Sequence, residues 1–475
     1  MAPLILAAKA IPNNLDAEDL YDYSVQIIRG LIRKGIQCIS YACDGTETER
    51  AVQRLLKSGA ETLFPYSIKH PDSRFPDIII TIAMIDGQLI AIIQDSKHGL
   101  KTARNNFFTG AKLLTVGNHI VMYSYARDLA FGPGSPLYHR DVEKTDRQDD
   151  SAALRLSSAS TMVYLTKQHP DRLGVVAYLF TFGELIDAYQ NRRISHRERI
   201  KMVLRARFFI DMWRSFLKRA GYPAGIFYIS REFDDISNIL VEGLIALVII
   251  HRDHLGMDEG TDYNRYPLLP WLHSSEACEH VFGECRKLIK DFTFLDFIYM
   301  IPKLTTLIRN AVRLGHTSNP RVRASGYAHT YVDAEDCDLA QLSIFPTDEE
   351  IQMATNEAWV EADTLFTMLG PAPEQFMQPA SKPTTSTQLT PNTYVPPIAS
   401  WFSEGEDPVL DFGDCASDTS SEWSNESEWS DNGALLRQLN ESFENEHSRS
   451  QTADERILAL SCAATACEIN DTIIA

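Results

Sequence analysis

Asp77-Ile78-Ile79-Ile80-Thr81-Ile82-Ala83-Met84, followed by Asp86-Gly87 and then by Leu89-Ile90-Ala91-Ile92-Ile93, decides what kind of fold this chain has. Two apolar runs of strand length, rich in β-branched residues and split by an Asp-Gly pair, predict a hairpin with a tight turn. Upstream, Cys38-Ile39-Ser40-Tyr41-Ala42-Cys43 predicts a short buried strand that ends at Asp44-Gly45. Thr46 and Glu49 then form a capping-box pattern opening a helix to Gly59. An earlier helix runs from its cap Asp16 to about Lys34, with Leu20, Ser24, Ile27, Ile28 and Leu31 inward and Gly35 as its stop. Leu4 to Ala8 suits a short strand ahead of it. The alternation predicts an α/β fold. Asp44, at the carboxyl end of a strand and beside a helix start, occupies the edge where open α/β sheets bind ligands.

Downstream, the hairpin delivers the chain to Gln94-Asp95-Ser96-Lys97-His98-Gly99-Leu100-Lys101-Thr102-Ala103-Arg104-Asn105-Asn106. An acid, a histidine and bases at a strand-to-helix junction fit either chemistry or a well-capped helix, and the cap is the commoner cause. From about Ala126 to Leu269 the pattern is mostly helical, interrupted by Gly132-Pro133-Gly134-Ser135-Pro136 and by the charged stretch His139 to Asp150. His251-Arg252-Asp253 mimics a kinase catalytic loop, but none of that motif's companions is present and it reads as a helix end.

The second informative stretch is Ser274-Ser275-Glu276-Ala277-Cys278-Glu279-His280-Val281-Phe282-Gly283-Glu284-Cys285-Arg286-Lys287-Leu288. Cys278, Val281, Phe282, Cys285, Leu288 and Ile289 recur at helical spacing and predict a buried stripe. Ser275 suits the cap, Glu276 the positive end of the helix, and Glu279 the margin of the stripe. A solvated face is the ordinary reading of such a glutamate; a carboxylate leaning over whatever the helix packs on is the other. Phe294 to Val312 and Thr347 to Leu369 follow as an apolar helix and an amphipathic one with its acids outward.

With 475 residues, 44% of them apolar, the chain is long enough for two or three domains and a sizeable core. The longest apolar run, Ile239 to Ile250, is short and carries Glu242, and the first ten residues lack the features of a signal peptide. An intracellular chain with no membrane partner is therefore expected. Eight cysteines scattered without a CxxC pair indicate a reducing compartment and no zinc finger. The net charge of −19 is uneven: residues 401–450 hold thirteen Asp and Glu against Arg437 and Arg449, whereas Arg192 to Arg219 holds ten Lys and Arg against Glu198 and Asp211. That basic helix, with Val203, Phe209, Ile210, Trp213 and Phe216 to one side, fits DNA contact through Arg192, Arg193, Arg197, Arg199, Lys201, Arg205 and Arg207, although most charged helix faces are simply solvated. Pro371 to Ser400 reads as a linker. Trp401 to Arg449, with Ser-Glu-Trp-Ser at Ser421 and again at Ser427, is too acidic to bury a core. A disordered tail is expected there, either recruiting a protein partner or only solubilising. Asp454 to Glu468 suits a short helix.

No phosphate-binding loop, dinucleotide fingerprint, nucleophile elbow or HExxH motif is present. What remains is Asp44 at a strand end and Glu279 on a later helix. Two-metal phosphoryl transfer needs carboxylates from separate elements to converge on ions roughly 3.5 to 4 Å apart, and oxygen ligands suit Mg²⁺ or Mn²⁺.

On these residues the chain resembles the RNase H-like core of P-element and THAP-type DDE transposases. Asp44-Gly45 before a helix, Asp95-Ser96-Lys97-His98-Gly99-Leu100-Lys101 with Arg104-Asn105, and Glu276-Ala277-Cys278-Glu279-His280-Val281-Phe282 carry the likeness. It extends to about Leu369 and is especially similar to transposon-derived reading frames of mushroom-forming fungi. The resemblance implies Asp44 as the second catalytic acid and Glu279 as the third, with Asp44, Glu279 and Glu276 at the metal, and a nuclear setting. It implies Asp95, His98, Lys101, Arg104 and Asn105 as a family motif from which Ser96, Lys97 and Gly99 depart. The implied organisation is a core over 1–125 lacking its first strands, a helical insertion domain over 126–270, core-closing helices over 271–316, a C-terminal helical segment over 317–369, and linker plus tail over 370–475. The family's first acid would precede the helix beginning at Asp16 and finds no counterpart. The expectation is therefore a catalytically inactive remnant or a displaced start codon, with DNA binding retained. The enzyme alternative is a Mg²⁺- or Mn²⁺-dependent nuclease in which Asp86 or Asp95 substitutes for the missing acid. An interaction protein acting through its tail is a third class.

Overall fold

A computed structural model describes residues 4–10, 15–108, 112–143, 148–255, 266–314 and 337–377. The acidic tail, most of the Pro/Thr/Ser-rich linker and the expected helix at 454–468 lie outside the described residues. In chain order the elements are α1 (Ala17–Arg33), β1 (Ser40–Cys43), α2 (Glu47–Ser58), β2 (Thr62–Ile68), β3 (Ile78–Ile85), β4 (Gln88–Gln94) and α3 (Ser96–Phe108). Then come β5 (Leu114–Val116), β6 (His119–Val121), α4 (Tyr123–Phe131), α5 (Arg140–Glu143), α6 (Asp150–Leu156) and α7 (Ala159–Gln168). The remainder is helical: α8 (Leu173–Gln190), α9 (His196–Ala220), α10 (Ala224–Phe227), α11 (Arg231–Asp253), α12 (Glu276–Leu288), α13 (Phe294–Leu314) and α14 (Asp348–Thr367). The class is mixed α/β, mostly helical around a small mixed sheet.

The four-stranded sheet has the order β1-β4-β3-β2, with β1 parallel to β4 and β3 antiparallel to both its neighbours. The β3–β4 hairpin turns through Asp86 and Gly87, both at positive φ, the conformation that matches strand twist and that Asp-Gly favours. In the parallel pair Cys43 sits opposite Gln94, so Asp44 and Asp95 leave neighbouring strands at the same edge. Val25 and Ile28 of α1 and Val52 and Leu56 of α2 pack on one side, with Ile85, Ile90 and Ile92 of the hairpin. On the other side Ile80, Ile82, Ala91 and Ile93 share a single core with α3, α8, α9 and α11. α11 comes so close that a Cβ on Gly243 would lie 2.6 Å from the Ile92 carbonyl oxygen. Helices α8, α9 and α11 thus share one apolar core with that face of the sheet.

Four local expectations are corrected. Leu4 to Ala8 forms no strand; Ile5 instead packs on a small core between α12 and α13 built from Val281, Cys285, Phe297, Met300, Leu304 and Ile308. β2 and the β5–β6 hairpin were not foreseen. On α12 only Val281 and Cys285 of the expected stripe are buried, while Phe282 and Ile289 are exposed. The acids of α14 do not all face outward. Glu361 meets Arg205 and lies 3.3 Å from Lys201, and Glu357 meets Arg197, so α14 covers the basic face of α9.

Candidate active site: three carboxylates around Ser275

Each acid arrives on a separate element. Asp44 follows β1, where the next residue, Gly45, holds φ +113° and could not carry a Cβ without meeting the Gln94 amide oxygen at 2.6 Å. Arg50, buried at the start of α2, donates from Nη1 to the Gly45 carbonyl at 2.9 Å and fixes that turn. Asp95 follows β4 and is buried. Its Oδ1 accepts from the backbone N–H of Lys97 at 2.8 Å and of His98 at 3.1 Å, which caps α3 and favours the ionised carboxylate at the positive end of that helix. Its Oδ2 accepts from the Ser275 N–H and faces the Ser275 hydroxyl, both at 3.0 Å. Asp95 thus caps α3 with one oxygen and holds Ser275 with the other.

Ser275 is where the three elements meet. Its Oγ lies 2.8 Å from Asp44 Oδ1, 3.0 Å from Asp95 Oδ2 and 3.4 Å from Glu279 Oε1. The expected cap is not formed: the Ser275 side chain accepts from no backbone N–H of the first turn of α12 and is turned to the acids instead. One hydroxyl carries one proton, so it satisfies one carboxylate at a time, and the other close oxygens are left facing each other. Partial burial first, and then the charges of Asp95, Asp44 and Asp150, push the Glu279 carboxyl above its usual range, against the pull of Lys101. Lys101 is the cation whose charge acts on Glu279. Burial disfavours its ammonium, but Asp150, 3.1 Å away, and then Glu279 and Asp95 outweigh that and hold it charged.

Asp44 and Glu279 therefore meet across 231 residues of chain between the first acid and Ser275, as expected, and Asp95 joins them. Asp95 is one of the two residues considered as a substitute for the missing first acid, and it lies on the same hydroxyl. Asp86, the other substitute considered, is at the opposite end of the hairpin, 3.1 Å from Arg29. Glu276, expected at the metal, is held by Lys97 at 2.7 Å and does not join the cluster. Arg104 reaches the Asp141 carbonyl at 3.1 Å and lies over Phe108, and Asn105 is half-buried, so both support the far end of α3. Ser275 was missed as a site residue because a serine before a helix is ordinarily a cap. The signal that could have found it is its place four residues ahead of Glu279.

The stripe expected to track DNA is also corrected. Arg199 is fully buried and donates to the Ala188 and Asn191 carbonyls at the end of α8. Arg205, 1% exposed, is held between Glu184 and Glu361. Lys201 is shared by Glu198 and Glu361, Arg197 meets Glu357, Arg207 is 4.0 Å from Asp211, and Arg192 stacks over Trp271. Arg193 lies at the α8–α9 turn with its backbone held by Asn191. Arg199, Lys201 and Arg205 are thus committed inside the protein, while Arg193 is exposed.

The donor set has the chemistry of a hard-cation site, all of it carboxylate oxygen. No group of three or more His, Cys, Asp and Glu among the described residues stands at metal-holding separation. Among the described residues no helix is long and apolar enough to cross a membrane. No protein-family model and no curated protein matches the chain. Among solved structures it is similar to a Drosophila P element transposase strand transfer complex, at 15% identity and a TM-score of 0.45 over 63% of this chain. The chain spans 65% of that protein's length, less than two thirds. A likeness this distant assigns neither chemistry nor partner.

Proposed function

We propose that Asp44, Asp95 and Glu279 form a divalent-cation site for phosphodiester chemistry on DNA, on an RNase H-like scaffold of transposase descent. The observation that carries the reading is the convergence of the three carboxylates on one hydroxyl with too few protons to satisfy them. A site with net negative charge is completed by a cation. Mg²⁺ or Mn²⁺ bound there would supply activation of a water or 3′-hydroxyl and stabilisation of a leaving oxygen. The chain's own residues do the positioning: the α3 amides hold Asp95, the Gly45 turn holds Asp44, and Lys101 moderates the charge beside Glu279. A second reading, a catalytically inactive descendant, is favoured by the Ser275 hydroxyl standing where an ion would go.

Calorimetric titration of the full chain with Mn²⁺, paired with nicking of supercoiled duplex DNA in Mg²⁺ or Mn²⁺, separates the two. The first reading expects one saturable binding event, lost in Glu279→Gln and Asp95→Asn together with nicking, and undiminished in Ser275→Ala. Absence of both binding and nicking in the wild-type chain would leave the second reading standing.

A further inference from the structure

The α12–α13 hairpin stands apart from the main core and turns a contiguous apolar surface to solvent. Phe294, Leu295, Ile298 and Tyr299 follow one another at helical spacing along α13, with Leu295 63% and Tyr299 77% exposed. Phe282 of α12 is also exposed and lies against Phe297 with their ring centroids 6.0 Å apart, extending the surface across both helices. Patches of this kind on a folded protein ordinarily mark a docking site. This one is rimmed by positive charge. Arg286, Lys287, Lys290, Lys303 and Arg309 are all exposed around it, and residues 286–313 carry six Lys and Arg against Asp291 and Asp296, in a chain of net charge −19.

Its complement is in the same chain. Residues 401–430 contain nine Asp and Glu and no Lys or Arg, with Trp401, Phe402, Phe412, Trp423 and Trp429 spaced among them. Acid and aromatic together match basic and apolar together, which a purely solubilising segment does not require. The 23 residues between Met377, the last described residue, and Trp401 can span up to roughly 80 Å when fully extended. That exceeds the diameter of about 50 Å expected for a folded body of this size. We propose that residues 401–430 of this chain dock in cis on the α12–α13 surface, their aromatics on Phe282, Leu295, Ile298 and Tyr299 and their acids on the basic rim.

The test is carbodiimide cross-linking of the full chain, which joins amines to carboxylates in contact, read by mass spectrometry. The link between Lys57 and Glu242, 2.6 Å apart, serves as an internal reference for the intact fold. The expected result is that Lys287, Lys290 and Lys303 join acids between Glu404 and Glu428. Those links should fall at least fivefold in Ile298→Asp/Tyr299→Asp, and equally in Trp401→Ala/Trp423→Ala/Trp429→Ala, with the reference link unchanged in both. Links spread evenly over the chain's lysines, or links that survive both variants, would overturn the proposal. So would links found only between ¹⁴N and ¹⁵N chains in a mixed sample, which would assign the surface to a second copy.

Discussion

Acidification to pH 5.5 should loosen the seam between α9, α11 and the segment leading into α14, and the histidines there set the size of the effect. His196 is fully buried and donates from Nε2 to the Leu342 carbonyl at 2.9 Å, leaving Nδ1 without a partner. His251, 4% exposed, likewise has an unpartnered Nε2, and both rings stack on Phe345. Burial lowers each from 6.5 to about 4, and Arg199 adds to the effect at His196. A base whose folded pKa is depressed stabilises the fold fully above its unfolded pKa of 6.5, and that stability is lost as pH falls toward the folded value. Between pH 7.5 and 5.5 the loss is about 1.3 kcal/mol for each histidine, or about 3 kcal/mol for the pair. Urea unfolding at the two pH values, in wild type and in His196→Gln/His251→Gln, measures it. Other half-buried histidines and carboxylates contribute equally to both proteins, so the difference isolates the pair. A wild-type drop that the double variant reproduces within about 0.5 kcal/mol would refute the reasoning.

Two further substitutions probe the core. Glu184→Ala leaves the buried Arg205 with Glu361 alone and should cost about 3–5 kcal/mol by urea unfolding, whereas Glu184→Leu with Arg205→Met should recover most of it. Gly243→Ala drives a methyl against the Ile92 carbonyl and should destabilise by about 1–3 kcal/mol, while Gly183→Ala, whose new Cβ would find Ser157 atoms no closer than 3.5 Å, should be neutral or stabilising by up to about 1 kcal/mol. Equal thermal shifts for the two glycine variants would contradict the close approach of α11 to the sheet.

Local rules made part of this molecule legible. The Asp86-Gly87 turn, the box at Thr46 and Glu49 and the cap at Asp16 each lie within a few residues of what they organise, and each is found in place. β2 escaped notice because Pro65 interrupts it and much of it is exposed, an edge strand's signature rather than a buried strand's. β5 and β6 are three residues each, too short for alternation to register. The basic helix misled for the opposite reason: its counter-charges on α14 are 156 to 160 residues away in sequence, so spacing along α9 alone reads as a free cationic face. Asp95 was legible as a motif, as a cap and as one of two substitute acids, but its place beside Asp44 was not, since only the parallel register of β1 against β4 brings the two together.

The clasp between α9 and α14 bears on biosynthesis. A ribosome adding about 5–20 residues per second reaches Glu361 about 8 to 30 s after Arg205 has been made. Throughout that interval Glu184 is the one member of its carboxylate pair that has been synthesised. The contact that completes the pair can form only once α14 has been made.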